Sequence, residues 1–293
     1  MSVTVLGAVR SCGATTLGVA LAATWPAGRR VLLVELDPAG GTLAAASGWA
    51  AEPSLVSLAA AARRSREPGA IWEHCQHLPG GGAVLAAPAG AEQVRSAAGM
   101  LAGLLARLGE LDADVLVDVG RLDATAPMPS IATGAGRVVL VARPRLADLH
   151  AFATFVEARA VGASPLEAGG MGLVLVGDGP YPDDEVAGAL GIEVLGRLPW
   201  DPQAAELLAS LPGSDRQLRL SPLVRAARTL ADRLAAGTAP TVDVAPPGDP
   251  APAAGSLRER MLRPFRIGAA VGTGTVNGNG SGNGSAGHEG AST

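Results

Sequence analysis

The chain has 293 residues, 48% of them apolar and only 3% aromatic, so a sizeable core is available and must be built from Val, Leu and Ala. Its formal net charge is −4, which argues against a surface coated for nucleic acid, and its positive charge comes from 23 Arg with no Lys at all. Chemistry that needs a lysine amine is thereby excluded, Schiff-base catalysis and an intact phosphate-loop lysine included. Two cysteines, Cys12 and Cys75, cannot form a disulfide framework and point to a reduced compartment. The N-terminus lacks the charged and long apolar regions of a signal peptide, and no apolar run reaches spanning length, so a cytoplasmic location is expected. The Arg-for-Lys, Ala and Gly bias suggests a GC-rich genome.

Val3 to Leu6 reads as a strand, followed by a turn from Gly7 to Gly13 and a helix from Thr15 to Trp25. Arg30 to Leu36 is almost continuously apolar, as a strand covered on both faces would be. Ser54 caps a predicted helix through Arg64, and Gly82 to Ala87 reads as a third strand. Ala91 to Leu108 is the clearest amphipathic helix, with Val94, Ala98, Leu101, Leu105 and Leu108 on one stripe. Val115 to Asp118 is a buried strand ending on a carboxylate, and Arg137 to Ala142, Gly172 to Val176 and Glu193 to Leu198 complete the strand set. Helices are expected near 146–161, 183–190, 202–210 and 222–235. This alternation predicts an α/β fold of right-handed βαβ units, with a mostly parallel sheet and helices on both faces.

Composition changes near Gly237. The expected organisation is a folded domain over 1–236, a Pro/Ala linker over 237–255, a short basic segment over 256–267 and a disordered Gly/Asn/Ser-rich tail over 268–293.

The segment Gly7 to Thr16 joins the first strand to the first helix, where backbone N–H groups can hold an anion and a hydroxyl can ligate Mg²⁺. The pattern G-x-x-x-x-G-K-[ST] is not met, because the glycine spacing differs and Ala14 fills the slot before Thr15. Read alone, these residues fit an ordinary tight turn equally well. Further on, Asp118 ends its strand where a carboxylate can hold Mg²⁺ through water, and the segment VLLVELDPAGG follows the second strand's pattern.

With VLLVELDPAGG, DADVLVDVG and LGRLPWDPQAA in this order, the chain resembles the ParA/MinD family of deviant Walker-A ATPases over about residues 2–235. The resemblance implies a P-loop NTPase-like fold and a site for ATP or ADP with Mg²⁺. It places Glu35 and Asp37 in the family's acidic segment, Asp118 on its Walker-B strand, and Pro199 and Asp201 in the segment beside the base. The implied nucleotide site is Gly7, Gly13, Ala14, Thr15, Thr16, Glu35, Pro199 and Asp201. Mg²⁺ falls to Thr15, Asp37 and Asp118, and any catalysis to Asp37 and Asp118.

In register with the family loop K-G-G-x-G-K-T-T, the signature lysine falls on Val9 and the phosphate-contacting lysine on Ala14. Arg10 lies one residue out of phase. Each lost charge-assisted contact removes roughly 1.5–3 kcal/mol, and phosphoryl transfer depends on such electrostatic stabilisation. The expectation is a pseudo-ATPase or very weak ATPase with weak nucleotide binding. Asp178 stands where the family often carries its base-binding Asn. The loop without lysine, ELDPAGG, DVGRLD and VGDGPYP further resemble an actinobacterial branch related to the CpaE/TadZ positioning proteins of Tad/Flp pilus and secretion loci. That resemblance implies a positioning or scaffold protein with a protein partner such as a pilus or secretion ATPase; Val9 at the signature position argues against nucleotide-driven homodimerisation and leaves a homodimer through another face open. An active partitioning ATPase and a DNA-binding module are the alternatives.

Glu73-His74-Cys75-Gln76-His77 lacks the second cluster a zinc site needs and reads as a surface loop; no redox cofactor is indicated either. Residues 201–267 carry nine Arg against seven acids, residues 1–200 fourteen against nineteen. Arg225 and Arg228 fit either a solvated helix face or a DNA contact. Leu257 to Ile267 interleaves apolar residues with Arg and reads as a membrane-targeting helix at the inner face of the membrane, a partner-docking peptide or an incidental basic patch.

Overall fold

The structure is a computed structural model and describes residues 2–64, 67–78, 82–122, 135–160, 170–210, 218 and 220–237. The linker, the basic segment Leu257 to Ile267 and the Gly/Asn/Ser-rich tail lie outside these residues.

An eight-stranded sheet forms the middle layer. Its strands are β1 (Val3–Ala8), β2 (Val31–Glu35), β3 (Gln76–His77), β4 (Ala83–Leu85), β5 (Asp114–Arg121), β6 (Arg137–Ala142), β7 (Met171–Val176) and β8 (Glu193–Leu198). They lie in the order β3-β4-β2-β5-β1-β6-β7-β8. Every pairing is parallel except the short β3–β4 pair at one edge. The helices are α1 (Ala14–Thr24), α2 (Leu43–Ala46), α3 (Leu55–Ala61), α4 (Ala91–Leu105), α5 (Leu146–Ala160), α6 (Asp183–Leu190), α7 (Pro202–Ser210) and α8 (Pro222–Ala235). The predicted α/β architecture is the observed one.

Period-two side-chain alternation divides the core into two. On one face Val5, Val117 and Leu140 meet Leu58 of α3, Leu101 of α4 and Phe152 of α5. On the other, Leu6, Leu116 and Val139 meet Leu17 and Leu21 of α1, Leu208 of α7 and Leu230 of α8. Both faces of the central strands are thus dry, which explains their unbroken apolar sequence.

The differences from expectation have local causes. β1 runs on through Gly7 and Ala8, because β6 continues the ladder opposite them; Gly7 therefore lies in the strand and not in the turn. β5 likewise continues past Asp118 to Arg121 through an irregularity in its pairing with β1. α3 stops at Ala61 and tightens into a turn in which Arg64 N donates to Ala61 O at 2.8 Å. α4 ends at Leu105, and its buried stripe is Val94, Ala97, Leu101, Leu104 and Leu105, one position off the predicted Ala98. Residues 68–74 form a 3₁₀ helix, so the segment around Cys75 is not a surface loop: Cys75 is buried and its Sγ donates to Ile71 O at 3.2 Å. Burial pushes that thiol up to about 12, leaving it protonated and inert at neutral pH.

Candidate nucleotide site

β1 sits between β5 and β6, and the chain winds away from it in both directions. Such a switch point opens a crevice at the carboxyl ends of the strands, and residues after β1, β5, β6, β7 and β8 converge there. The loop from Val9 to Gly13 turns into α1 through Gly13, whose φ of 103° is left-handed and suits glycine. No side chain caps α1, so its first-turn N–H groups are free of any side-chain acceptor among the described residues. Ala14 is buried and Val9 packs against the core, so the two positions that the resemblance assigns to lysines hold packed apolar side chains. Arg10 pairs with Asp148 at 3.4 Å and does not line the crevice.

Three carboxylates stand beside this loop in unlike surroundings. Strand register places Asp118 opposite Leu6 on β1 and Glu35 on β2. Glu35 is 1% exposed, and its oxygens accept from Thr42 N at 2.7 Å, Leu43 N at 3.1 Å and Ala87 N at 2.9 Å. These bonds shape the segment after β2 and leave Glu35 beside the loop as a shared acceptor for three backbone N–H groups. Burial raises its pKa, and those N–H donors hold the rise in check. Asp37 accepts from Ala39 N at 2.8 Å and lies over Gly120, where any side chain would collide with its carboxyl group. Gly120, with φ of 62°, supplies the room.

Asp118 is the unusual one. It is 0% exposed; Oδ1 accepts from Gly120 N at 2.9 Å, while buried Oδ2 has no hydrogen-bond partner. Burial pushes its pKa up to about 6, aided by the charges of Glu35 and Asp37 and opposed by the neighbouring Thr15 side chain and Gly120 N. An orphaned carboxylate oxygen in such a place asks for a proton or a cation. The donor set fits Mg²⁺, a hard ion that takes one or two carboxylates and a hydroxyl and keeps several waters. Thr15 and Asp118 would hold it, with Asp37 nearby. Among the described residues no group of three or more His, Cys, Asp or Glu is placed to hold a metal.

Next to the loop is a cavity of about 230 Å³, lined by Ser11, Gly13 and Thr16 on the loop side and by Pro199, Trp200 and Asp201 after β8. It is smaller than the pockets that enclose a drug-sized ligand, so only part of a nucleotide would fit within it. Pro199 and Asp201 are brought to Gly13 and Thr16 as predicted. Asp201, however, has its oxygens engaged: Oδ1 accepts from Ala204 N at 3.0 Å and Oδ2 from Ser221 Oγ at 2.9 Å. Gly7 lies behind the site, where a side chain would press on Leu122.

The sequence reading missed Arg143, Trp200 and Cys12, which also line this cavity. Arg143 follows β6 and packs its guanidinium carbon 4.6 Å from the Trp200 ring centroid. Cys12 donates to Val141 O at 3.0 Å; burial pushes its thiol up to about 11, raised further by Asp148 and lowered by Arg143. Chain order offered no hint that residues 12, 143 and 200 would meet. Arg225 and Arg228 are exposed on α8, whereas Arg233 ties α8 to β8 through Leu195 O and Glu193.

The fold is a P-loop-type α/β domain in which Val9 and Ala14 stand beside the turn into α1. Its fold is that of the ParA/MinD ATPases. The ParA family ATPase from Chlorobium tepidum superposes with a TM-score of 0.64 at 16% identity, covering 78% of this chain and 98% of that one. The septum site-determining protein MinD from Pyrococcus horikoshii, in complex with Mg-ADP, gives 0.56 at 19% identity over 79% and 96%. The MinC:MinD cell division complex from Aquifex aeolicus gives 0.57 at 15% over 82% and 98%. Neither the protein-family models nor the curated protein sequences give a match to this chain. No helix among the described residues is long and apolar enough to cross a membrane.

Proposed function

We propose that this chain is a ParA/MinD-type positioning or scaffold protein that binds ATP or ADP with Mg²⁺ weakly and hydrolyses ATP slowly or not at all. The observation that carries the reading is Asp118, fully buried with an unpartnered Oδ2 beside Thr15 at the free N-terminus of α1. The cation-binding half of a nucleotide site is thus kept, while the loop positions that would neutralise the transferring phosphate hold Val9 and Ala14. The structural neighbours, a ParA family ATPase and a MinC:MinD cell division complex among them, support a positioning or partitioning task with a protein partner; homodimerisation belongs to the same reading. The motifs ELDPAGG, DVGRLD and VGDGPYP support service to Tad/Flp-type pilus or secretion machinery, with Leu257 to Ile267 as a contact to membrane or partner. A working partitioning ATPase is the second reading, favoured by the guanidinium of Arg143 at the cavity. DNA contact would fall to Arg225 and Arg228.

Fluorescent ATP and ADP titrated into the full chain, with and without Mg²⁺, test the reading beside an Asp118→Asn variant. The expected result is Mg²⁺-dependent binding that the variant loses, with phosphate release no faster than in protein-free buffer. Equal binding by both proteins would sink the site. Steady phosphate release that disappears in Asp118→Asn would replace the scaffold by the working ATPase.

A further inference from the structure

Arg143 enters the crevice from β6, on the side away from the carboxylates. Of the charged residues lining the cavity, Asp201 has both oxygens committed to Ala204 N and Ser221 Oγ. Arg143, by contrast, has a buried Nε–H with no acceptor among the described residues. Leaving a charge-bearing donor unsatisfied is costly unless something else supplies the acceptor. The stack on Trp200 fixes the plane of the guanidinium while leaving its edge N–H groups open to oxygen. Its charge reaches the loop, since it is felt at the Cys12 thiol. Arg10, the loop's own cation, is held by Asp148 instead.

We infer that Arg143 is the anion-binding cation of this site, replacing from β6 the charge that the loop lacks, and that it holds the polyphosphate part of the ligand. The inference rests on the nucleotide-site reading but specifies a residue outside the loop. A planar fork suits phosphate oxygens better than a point charge. Trp200 then serves as its positioning partner.

The test uses the full chain and three probes, Mg-ATP, inorganic tripolyphosphate and adenosine, titrated by calorimetry into wild type, Arg143→Ala and Arg143→Lys. Arg143→Ala should weaken Mg-ATP and tripolyphosphate by about 10- to 100-fold, the loss of one charge-assisted hydrogen-bonding group. Adenosine affinity should stay unchanged, and Arg143→Lys should recover only part of the loss. Because the Arg143 Nε–H is unsatisfied, the variants should melt no lower than wild type; Arg143→Lys keeps the test open if the alanine variant does not fold. If wild type binds tripolyphosphate through Arg143 but neither ATP nor adenosine, the inference stands and the nucleotide reading falls. If Mg-ATP binds Arg143→Ala as tightly as wild type, or the variant weakens adenosine by the same factor, the inference is overturned and the nucleotide reading stands. If none of the probes binds wild type, both are overturned.

Discussion

Asp118 sets function against stability within one side chain. Its pKa of about 6 in the folded chain exceeds the ordinary 3.8, so the folded state holds the proton more tightly than the unfolded one between those values. Stability therefore falls as pH rises through that window, and above about pH 6 the full penalty applies. The shift corresponds to about 2–3 kcal/mol. Asp118→Asn should be more stable than wild type by about that amount at pH 8 without Mg²⁺, the advantage vanishing below pH 4. Denaturant unfolding at the two pH values measures it, and a gain independent of pH would remove the buried charge as its cause. Glu35 is equally buried yet differs in kind, because three backbone N–H groups answer it. That the chain carried carboxylates at 35, 37 and 118 was legible in the sequence. Which one is left wanting a cation was not, since lone-pair satisfaction depends on where the backbone of residues 39–43 and 87 comes to lie.

Among the elements, the joint between α7 and α8 bears most directly on the site. Ser221 caps α8 by accepting from Leu223 N at 3.1 Å and Val224 N at 3.4 Å, with Pro222 at the first helical position. The same hydroxyl donates to Asp201, whose other oxygen accepts from Ala204 N in the first turn of α7. One serine thus ties two helix starts together under the segment that carries Trp200. Ser221→Ala should cost about 1–2 kcal/mol, read as a lower denaturation midpoint, with Ser221→Thr, which keeps a hydroxyl that can both donate to Asp201 and accept from the helix, retaining most of the cap. A midpoint unchanged in the alanine variant would show that Asp201 and water satisfy the helix without it. Helix existence was legible from periodicity here, since α6, α7 and α8 fall on the expected ranges. The two-residue β3 and the four-residue α2 were not, because segments so short have no period to read and form only where neighbours already stand.

At the scale of the molecule, the sheet order predicts where the chain is hardest to open. β1, β5 and β2 are covered on both faces and paired on both edges, whereas β8 is only partly buried and β3 ends the sheet with two residues. Hydrogen exchange should be slowest in β1, β2 and β5 and fastest, among strands, in β3 and β8. Uniform protection across all eight strands would mean that the sheet opens as one unit.

The sequence by itself determined the α/β class, every strand but β3, the loop beside the first helix and the absence of lysine from it, because these depend on local periodicity and on residue identity. It also supported a nucleotide site around Gly13, Thr15 and Asp118. The tertiary structure alone decided that Asp201 and Glu35 accept from backbone N–H groups and a helix cap, that Arg10 pairs with Asp148, and that Arg143 and Trp200 line the cavity. The physical reason is that a hydrogen bond or a stacked ring is settled by distances between groups far apart in the chain. Those distances follow from the order in which β1, β6 and β8 line up in the sheet, and that order has no local signature.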